Sequence, residues 1–465
     1  MTAPRTANLR VVLLVIVTCL LAVVGFAAVA FGRQYQADRS FRPIKVPSAT
    51  AAPSDLAPVL STGAPTVPST PAGTAPTAAG IKAALASGLT SAQLGPALSA
   101  QVIDVGSGST LFSQRPDASV APASTSKLLT AAAILTVHKP TDRFSTKVVA
   151  GADPGTVVLV GGGDPTLSGA PAGTAVEYPE AARVSDLAAQ VRKAVGSTPI
   201  TQVIVDDSLF TGAATAPGWD PGDAPSSYAS PITATMVDAG RDTPNAPDRS
   251  GTPDIAAGNA LANALAGATV SVGSAPAGAK VLGQVSSAPI GVLVEQMLRD
   301  SDNVIAEVLG RQVALAQHQP GSFAAGAAAI ASVLKPLGID VGGGMKDSSG
   351  LSGLDRITAS SLGAVLVKAA ATPGLRSILT GLSVAGWDGS LVEQGRFTGS
   401  AAVANGALRA KTGSLTGVSA LAGYVTDRDG RQLIFAFVAD QAPSEAGTRD
   451  AIDDLAAALV GCGCH

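Results

Sequence analysis

The chain predicts an α+β fold in more than one domain, on three observations. At 465 residues it is too long for a single core. Its folded part opens and closes on strand pairs joined by tight turns, so the pairs are antiparallel. Between them stand apolar and amphipathic helical stretches, and one long interval carries strands and helices of its own.

The elements follow in order. Residues 11–31 are an almost unbroken apolar run, long enough to span a bilayer as a helix. A cleavable signal peptide has a shorter apolar region, yet Ala28-Val29-Ala30 has the small-x-small form of a cleavage site. Length favours a transmembrane signal anchor at 11–31 behind a cytoplasmic tail at 1–10, with cleavage and secretion as the alternative. Arg5 and Arg10 before the span are offset by Arg33, Arg39, Arg42 and Lys45 after it, so charge does not set the orientation. Residues 46–80 are rich in Pro, Ala, Ser and Thr and nearly free of charge. Such a linker cannot bury enough to fold and is expected to be disordered.

The folded part is expected from Ile81. Residues 98–105 and 109–113 read as a hairpin around Gly106-Ser107-Gly108. Residues 127–138 read as a buried helix by their apolar content, which puts Ser124 at its N-terminus and Lys127 one turn on, on the same face. Strand signals follow at 156–160 and 201–205, and helices at 184–195 and 255–265, among many Gly, Pro and Asp turns. Residues 146–285 therefore read as a large domain inserted into another built from 81–145 and 286–465. Helices at 290–298 and 304–316 put Ser301-Asp302-Asn303 at a helix–helix corner, where Asp302 is a fair cap. Strands are expected at 407–412, 418–426 and 432–439, the last two joined by Asp427-Arg428-Asp429-Gly430. A helix at 446–460 closes the fold.

Composition narrows the function. Net charge is −3 with no basic cluster, which argues against a nucleic-acid partner. Cys462, Cys464 and His465 offer too few ligands for a closed zinc site. A frayed tail with two exposed thiols or one strained disulfide is the expectation there. No metal or organic cofactor is implied.

Three motifs carry the chemistry: Ser124-Thr125-Ser126-Lys127, Ser301-Asp302-Asn303 and Lys411-Thr412-Gly413. A Ser-x-x-Lys pattern alone is weak, since about one arises by chance in a chain this long. A second, Ser332-Val333-Leu334-Lys335, lies in an Ala-rich amphipathic stretch and reads as helix surface. The tripeptides are rarer, at about 0.06 expected per chain. Ser124 is a poor nucleophile until a base takes its proton, and Lys127 is the nearest base. Burial and a second cation, Lys411, would favour its neutral form. The helix N-terminus at Ser124 and the N–H of Ser414 would serve an oxyanion. Ser301 can relay a proton to a leaving amine, and Asn303 can hold a substrate carbonyl or orient Lys127. Lys411 and Thr412 suit a terminal carboxylate, while Gly413 leaves room for a ligand along the strand. An acylatable serine beside a carboxylate clamp points to a carboxypeptidase. Asp302 reads equally as a cap or a catalytic group.

These residues resemble the class C low-molecular-mass penicillin-binding proteins, which are D-alanyl-D-alanine carboxypeptidases and often endopeptidases. The resemblance runs from about Leu98 to Leu459. Beyond the three motifs it includes residues 161–167, 205–210, Pro217-Gly218-Trp219, Asp347-Ser348-Ser349-Gly350-Leu351 and Leu421-Ala422-Gly423-Tyr424. It implies a penicillin-binding/β-lactamase-like transpeptidase fold, an antiparallel sheet flanked by helices, with the inserted domain beside the cleft. It implies a peptidoglycan stem peptide ending in D-Ala-D-Ala as substrate, and β-lactams as covalent inhibitors that acylate Ser124. It further implies that an acidic residue of the inserted region binds the amine of a diamino acid in the stem, for which Asp206 is the candidate; otherwise Asp206 is a strand-end turn residue. Two departures stand out. Gly353-Leu354-Asp355 come before Arg356 where the family often has an arginine at once, and the insertion is short for the class.

Three other readings share the motifs. A β-lactamase of class A would carry a deacylating glutamate between the second and third motifs, and neither Glu307 nor Glu393 has that setting. A catalytically weak peptidoglycan-binding module on the same fold would take penicillin without peptidase turnover. A Ser-Lys protease for ordinary proteins would need no carboxylate clamp.

Overall fold

A computed structural model of the chain describes residues 74–465 except 245. The expected anchor at 11–31 and most of the expected linker lie outside the described residues. Helix α1 (Ala78–Leu85) opens the described chain, capped by the Thr77 side chain, which accepts from the Gly80 N–H. Residues 78–80, expected in the linker, are thus helical, because Ile81 and Leu85 bury fully behind that cap.

The remaining elements run as strands β1 (Ala97–Asp104) and β2 (Thr110–Gln114), helix α2 (Lys127–Val137), and strands β3 (Ser145–Ala150) and β4 (Thr156–Val160). Helix α3 (Val184–Val195), strand β5 (Gln202–Asp206), helix α4 (Pro253–Ala264), and strands β6 (Thr269–Val272) and β7 (Val281–Ser286) follow. Then come helices α5 (Ile290–Arg299), α6 (Asn303–Ala316), α7 (Phe323–Leu334), α8 (Ala359–Ala371) and α9 (Arg376–Thr380). Strand β8 (Ser383–Val384), helix α10 (Gly389–Glu393), strands β9 (Leu408–Leu415), β10 (Val418–Thr426) and β11 (Gln432–Asp440), and helix α11 (Glu445–Val460) end the fold.

Two sheets result. One is six-stranded and antiparallel in the order β2-β1-β11-β10-β9-β8. Side chains alternate faces along a strand, and both faces of this sheet are covered. Ile434, Ala436 and Val438 of β11 pack with helices α2, α5, α6, α7 and α8. Leu433, Phe435, Phe437 and Ala439 face the other way, onto α1 and α11. That two-sided burial is why β11 reads as a continuous apolar run.

The second sheet has five strands in the order β6-β5-β4-β3-β7. Strands β4, β5 and β6 run parallel, while β3 pairs antiparallel with β4 and β7. Helices α3 and α4 supply the crossovers and bury Leu187, Val191 and Leu261 against Val157, Leu159 and Val203.

The C-terminal tail is not frayed. Cys462 is buried and paired with Cys464, whose carbonyl accepts from the Thr77 N–H at 2.7 Å. The tail thereby ties the two ends of the described chain together.

Candidate active site

The chain reaches Ser124 through Ala123, a non-glycine residue at φ 48°. It turns there through a 3₁₀ segment, Ala123–Ser126, straight into α2. Left-handed backbone of this kind costs about 1–3 kcal/mol and persists only where the surroundings over-determine it. Two glycines form those surroundings. A Cβ on Gly350, itself at φ 79°, would stand 1.9 Å from the Ala123 carbonyl oxygen. A Cβ on Gly413 would stand 2.8 Å from the Pro122 carbonyl oxygen. Close approach from both sides needs both positions bare.

Lys127 is fully buried one turn on. Its Nζ lies 3.0 Å from Ser124 Oγ, 2.6 Å from Asn303 Oδ1 and 2.8 Å from the Ser349 carbonyl oxygen. Burial pushes Lys127 down to about 8, against the pull of the Asp347, Glu307, Asp302 and Asp355 carboxylates. A neutral amine has two N–H donors and one lone pair. Asn303 Oδ1 and the Ser349 carbonyl can only accept, so they take the two donors. The direction left over points at the Ser124 hydroxyl.

Asn303 begins α6 and also donates from Nδ2 to the Tyr228 carbonyl at 3.1 Å. Ser301, at φ 57°, turns the corner from α5 and lines the cleft beside Ser124. The structure brings Ser301 to this wall without a hydrogen bond from its hydroxyl to Lys127.

Asp302 is a structural group. Its Oδ1 accepts from the Ile305 N–H as the cap of α6. Its Oδ2 accepts from Tyr178 Oη at 2.8 Å and pairs with Arg249 at 3.0 Å and Arg241 at 3.7 Å. Burial pushes this carboxyl up, but Arg249 and then Arg241 outweigh it and hold it well below the usual range. The three partners come from the stretch between β4 and α4, so Asp302 ties that stretch to the second motif. Asp302→Asn should cost about 3–5 kcal/mol, because it leaves buried guanidinium charge unpaired. Asparagine caps about as well as aspartate, so the loss reports the arginine pairs. Denaturant unfolding measures it, and a loss below about 1 kcal/mol would contradict this role. A depressed folded pKa adds stability above the ordinary aspartate pKa that is lost as pH falls through the folded value; the variant should lack that acid dependence.

Strand β9 carries the third motif and runs on to Leu415, past the expected end at Thr412. Strand β8 pairs only with Arg409 and Ala410, so the rest of this edge of β9 has no partner strand among the described residues. Thr412 and Ser414 line the cleft, a cavity of about 940 Å³. Thr412 Oγ1 lies 2.9 Å from Ser390 Oγ on α10.

Lys411 corrects an expectation. It is fully buried behind the wall, with Nζ donating to the Thr412 carbonyl at 2.9 Å. Burial and then the Lys127 charge push Lys411 well below its usual value. Burial, rather than Lys411, is therefore the chief cause of the Lys127 depression.

Asp206 is a second correction. Its carboxylate accepts from the N–H groups of Ser208 at 3.0 Å and Ala275 at 2.7 Å, and it does not line the cleft. It ends β5 as a turn residue. The acids of residues 146–285 that do line the cleft are Glu177, Asp220 and Asp223. Glu177 pairs with Arg241 at 3.2 Å. Arg356 lines the cleft, but its Nη1 donates to the Gly353 and Asp355 carbonyls.

Sequence reasoning missed the acids beneath Lys127. Glu307 accepts from the Ser348 and Ser349 N–H groups, and burial followed by Asp347 pushes it up to about 8. Asp347 accepts from the N–H groups of Gly350 and Ser352 and from Trp219 Nε1. Burial and then Asp347 push Asp355 up to about 10. The signal was present in the sequence: acids inside otherwise apolar or small-residue runs.

The sequence matches the D-Ala-D-Ala carboxypeptidase 3 (S13) family over residues 81–251 and 242–459. It is 46% identical over 378 residues to Carboxypeptidase Rv3627c of Mycobacterium tuberculosis, covering 79% of this chain and 81% of that protein. It is 43% identical over 376 residues to Carboxypeptidase DacB of Mycolicibacterium smegmatis, again covering 79% and 81%. Penicillin binding protein 4 (dacB) of Haemophilus influenzae has a similar fold, with TM-score 0.66 at 20% identity over 82% of this chain and 98% of that one. A structure of the same protein complexed with a β-lactam superposes with TM-score 0.58 at 20% identity over 81% of this chain and 99% of that one.

Proposed function

The chain belongs to the D-Ala-D-Ala carboxypeptidase 3 (S13) family, and on that premise we propose a division of labour among its site residues. The enzyme is a serine-type D-Ala-D-Ala carboxypeptidase acting on peptidoglycan. Ser124 is the nucleophile and Lys127 its base, a reading carried by the 3.0 Å contact of a neutral-leaning, fully buried amine with the hydroxyl. Ser124 Oγ attacks the carbonyl carbon of the penultimate D-Ala while its proton passes to Lys127 Nζ. The tetrahedral oxyanion is held by the N–H groups of Ser124 and Ser414. As the peptide C–N bond breaks, the proton passes through the Ser301 hydroxyl to the departing D-Ala amine. Water then attacks the Ser124 ester carbonyl while Lys127 takes its proton, and Lys127 returns that proton to Ser124 Oγ as the acyl C–O bond breaks. Asn303 fixes Lys127, Thr412 faces the terminal carboxylate, Gly413 gives the peptide room, and Lys411 braces the strand behind Thr412 by donating to its carbonyl.

Asp223 and Asp220 replace Asp206 as the carboxylates for a stem amine. Both line the cleft, and burial pushes Asp223 up; a cation beside it would offset that cost. Endopeptidase action on cross-linked stems is the finer possibility, and it is read by cleavage of a dimeric stem peptide.

Acylation requires neutral Lys127. At pH 7 about one molecule in ten has it, against roughly one in three thousand for an ordinary lysine. The acylation rate by penicillin should rise about tenfold per pH unit at acid pH and level off near 8. A profile flat from pH 5 to 9 would contradict Lys127 as base.

Placement at the membrane completes the proposal. The apolar run at 11–31, long enough to span a bilayer, would anchor an extracytoplasmic enzyme. Recovery of the full chain from the soluble fraction would contradict the anchor.

A further inference from the structure

Glu307 stands one turn beyond Asn303 on α6, buried and away from the cleft lining. Its carboxylate accepts from the Ser348 N–H at 3.1 and 2.9 Å and from the Ser349 N–H at 2.8 Å. Those two amides belong to the turn whose Ser349 carbonyl meets Lys127 Nζ at 2.8 Å. Helix α6 therefore sets both acceptors of Lys127, one directly through Asn303 and the other at one remove.

The turn has its own staple. Asp347 accepts from the N–H groups of Gly350 and Ser352 at 2.7 Å, from Trp219 Nε1 at 2.8 Å and, at 3.2 Å, shares the Ser349 N–H with Glu307, whereas the Ser348 N–H goes to Glu307. Glu307 is not needed to fold the turn; it ties the turn to α6. The approach is close, since a Cβ on Gly310 of α6 would stand 1.9 Å from Ser348 Oγ. Burying a polar carboxyl group costs desolvation that leucine would not, and its hydrogen bonds to the two amides offset it.

We propose that Glu307 is a positioning residue for acylation: by clamping Ser348 and Ser349 it aims the Ser349 carbonyl at Lys127 and reserves the third Nζ direction for Ser124. This rests on Ser124 as nucleophile and Lys127 as base.

The test compares wild type, Glu307→Leu and Glu307→Gln in the full chain. It reads the rate and stoichiometry of penicillin acylation, and kcat and KM for D-Ala release. Glu307→Leu should lower the acylation rate and kcat about 100-fold, the scale of an ångström-level misplacement of a catalytic group. KM should change less than about twofold, because Glu307 does not line the cleft. Glu307→Gln keeps one oxygen within reach of both amides and should recover part of that loss. A folded Glu307→Leu protein acylating at the wild-type rate would overturn the proposal. So would a loss that follows only the folded fraction, with each labelled site reacting normally. If neither variant folds, amide exchange in the wild type decides: Ser348, whose N–H goes to Glu307, as slow as the interior of α6 supports the clamp, and fast exchange overturns it. A wild type that takes no penicillin at Ser124 would instead overturn the underlying reading.

Discussion

Ser124→Ala leaves a folded protein that neither releases D-alanine nor forms a covalent adduct with penicillin. Turnover should fall by at least about four orders of magnitude, the scale lost when the nucleophile of an acyl-transfer site is removed. The reason is local. Ser124 is held at the end of a strained turn, with Gly350 and Gly413 packed against Ala123 and Pro122, and among the described residues its hydroxyl is the one that hydrogen-bonds Lys127 Nζ. Alanine adds no atom to that turn, so the melting temperature should hardly move. Ser332→Ala is the matched control. Ser332 is exposed on α7, and its change should leave activity at the wild-type level. Residual turnover of a tenth or more in Ser124→Ala would move the nucleophile elsewhere, with Ser301 first in line.

Lys127→Met has the second largest expected effect. Methionine keeps the apolar stem and removes the base, so acylation should fall about a thousandfold. The acid limb near pH 8 should vanish with it. Stability offers an independent check. Burial lowers Lys127 from 10.5 to about 8, so between those values the unfolded chain binds more protons than the folded one. Wild-type stability therefore gains an increment as pH rises through that window, on the order of 3 kcal/mol from this group. Glu307 and Asp355, pushed up to about 8 and about 10, act in the opposite sense below those values. The difference between wild type and Lys127→Met across pH 8 to 10.5 isolates the lysine. An identical pH dependence in both proteins would mean that Lys127 is not depressed.

Much of the fold and of the site is legible in the sequence, for identifiable reasons. Strand β10 and helix α3 match their expected spans, since turn residues and periodicity bound both. Ser124 with Lys127, and Asn303, are legible because helical spacing and the corner between α5 and α6 are local facts. What was not legible is long-range. Strands β3, β6 and β7 are short, and their edges are paired by residues far away. Asp206 looked available only because the amides of Ser208 and Ala275 cannot be seen from sequence. Lys411 looked like a carboxylate clamp because its position on β9 does not reveal that its amine turns back to the Thr412 carbonyl. Glu307 and the 347–355 turn were hidden for the same reason. Their meaning depends on where the Ser349 carbonyl points, and that is set by packing between elements.

We propose that this carboxypeptidase works through an acyl-enzyme at Ser124. The most direct test is to incubate the folded protein with penicillin, weigh it intact and map the modified peptide. One adduct per chain is expected, on the peptide carrying Ser124, and none in Ser124→Ala. An adduct on another residue, or none on a folded protein that leaves penicillin unconsumed, would contradict it.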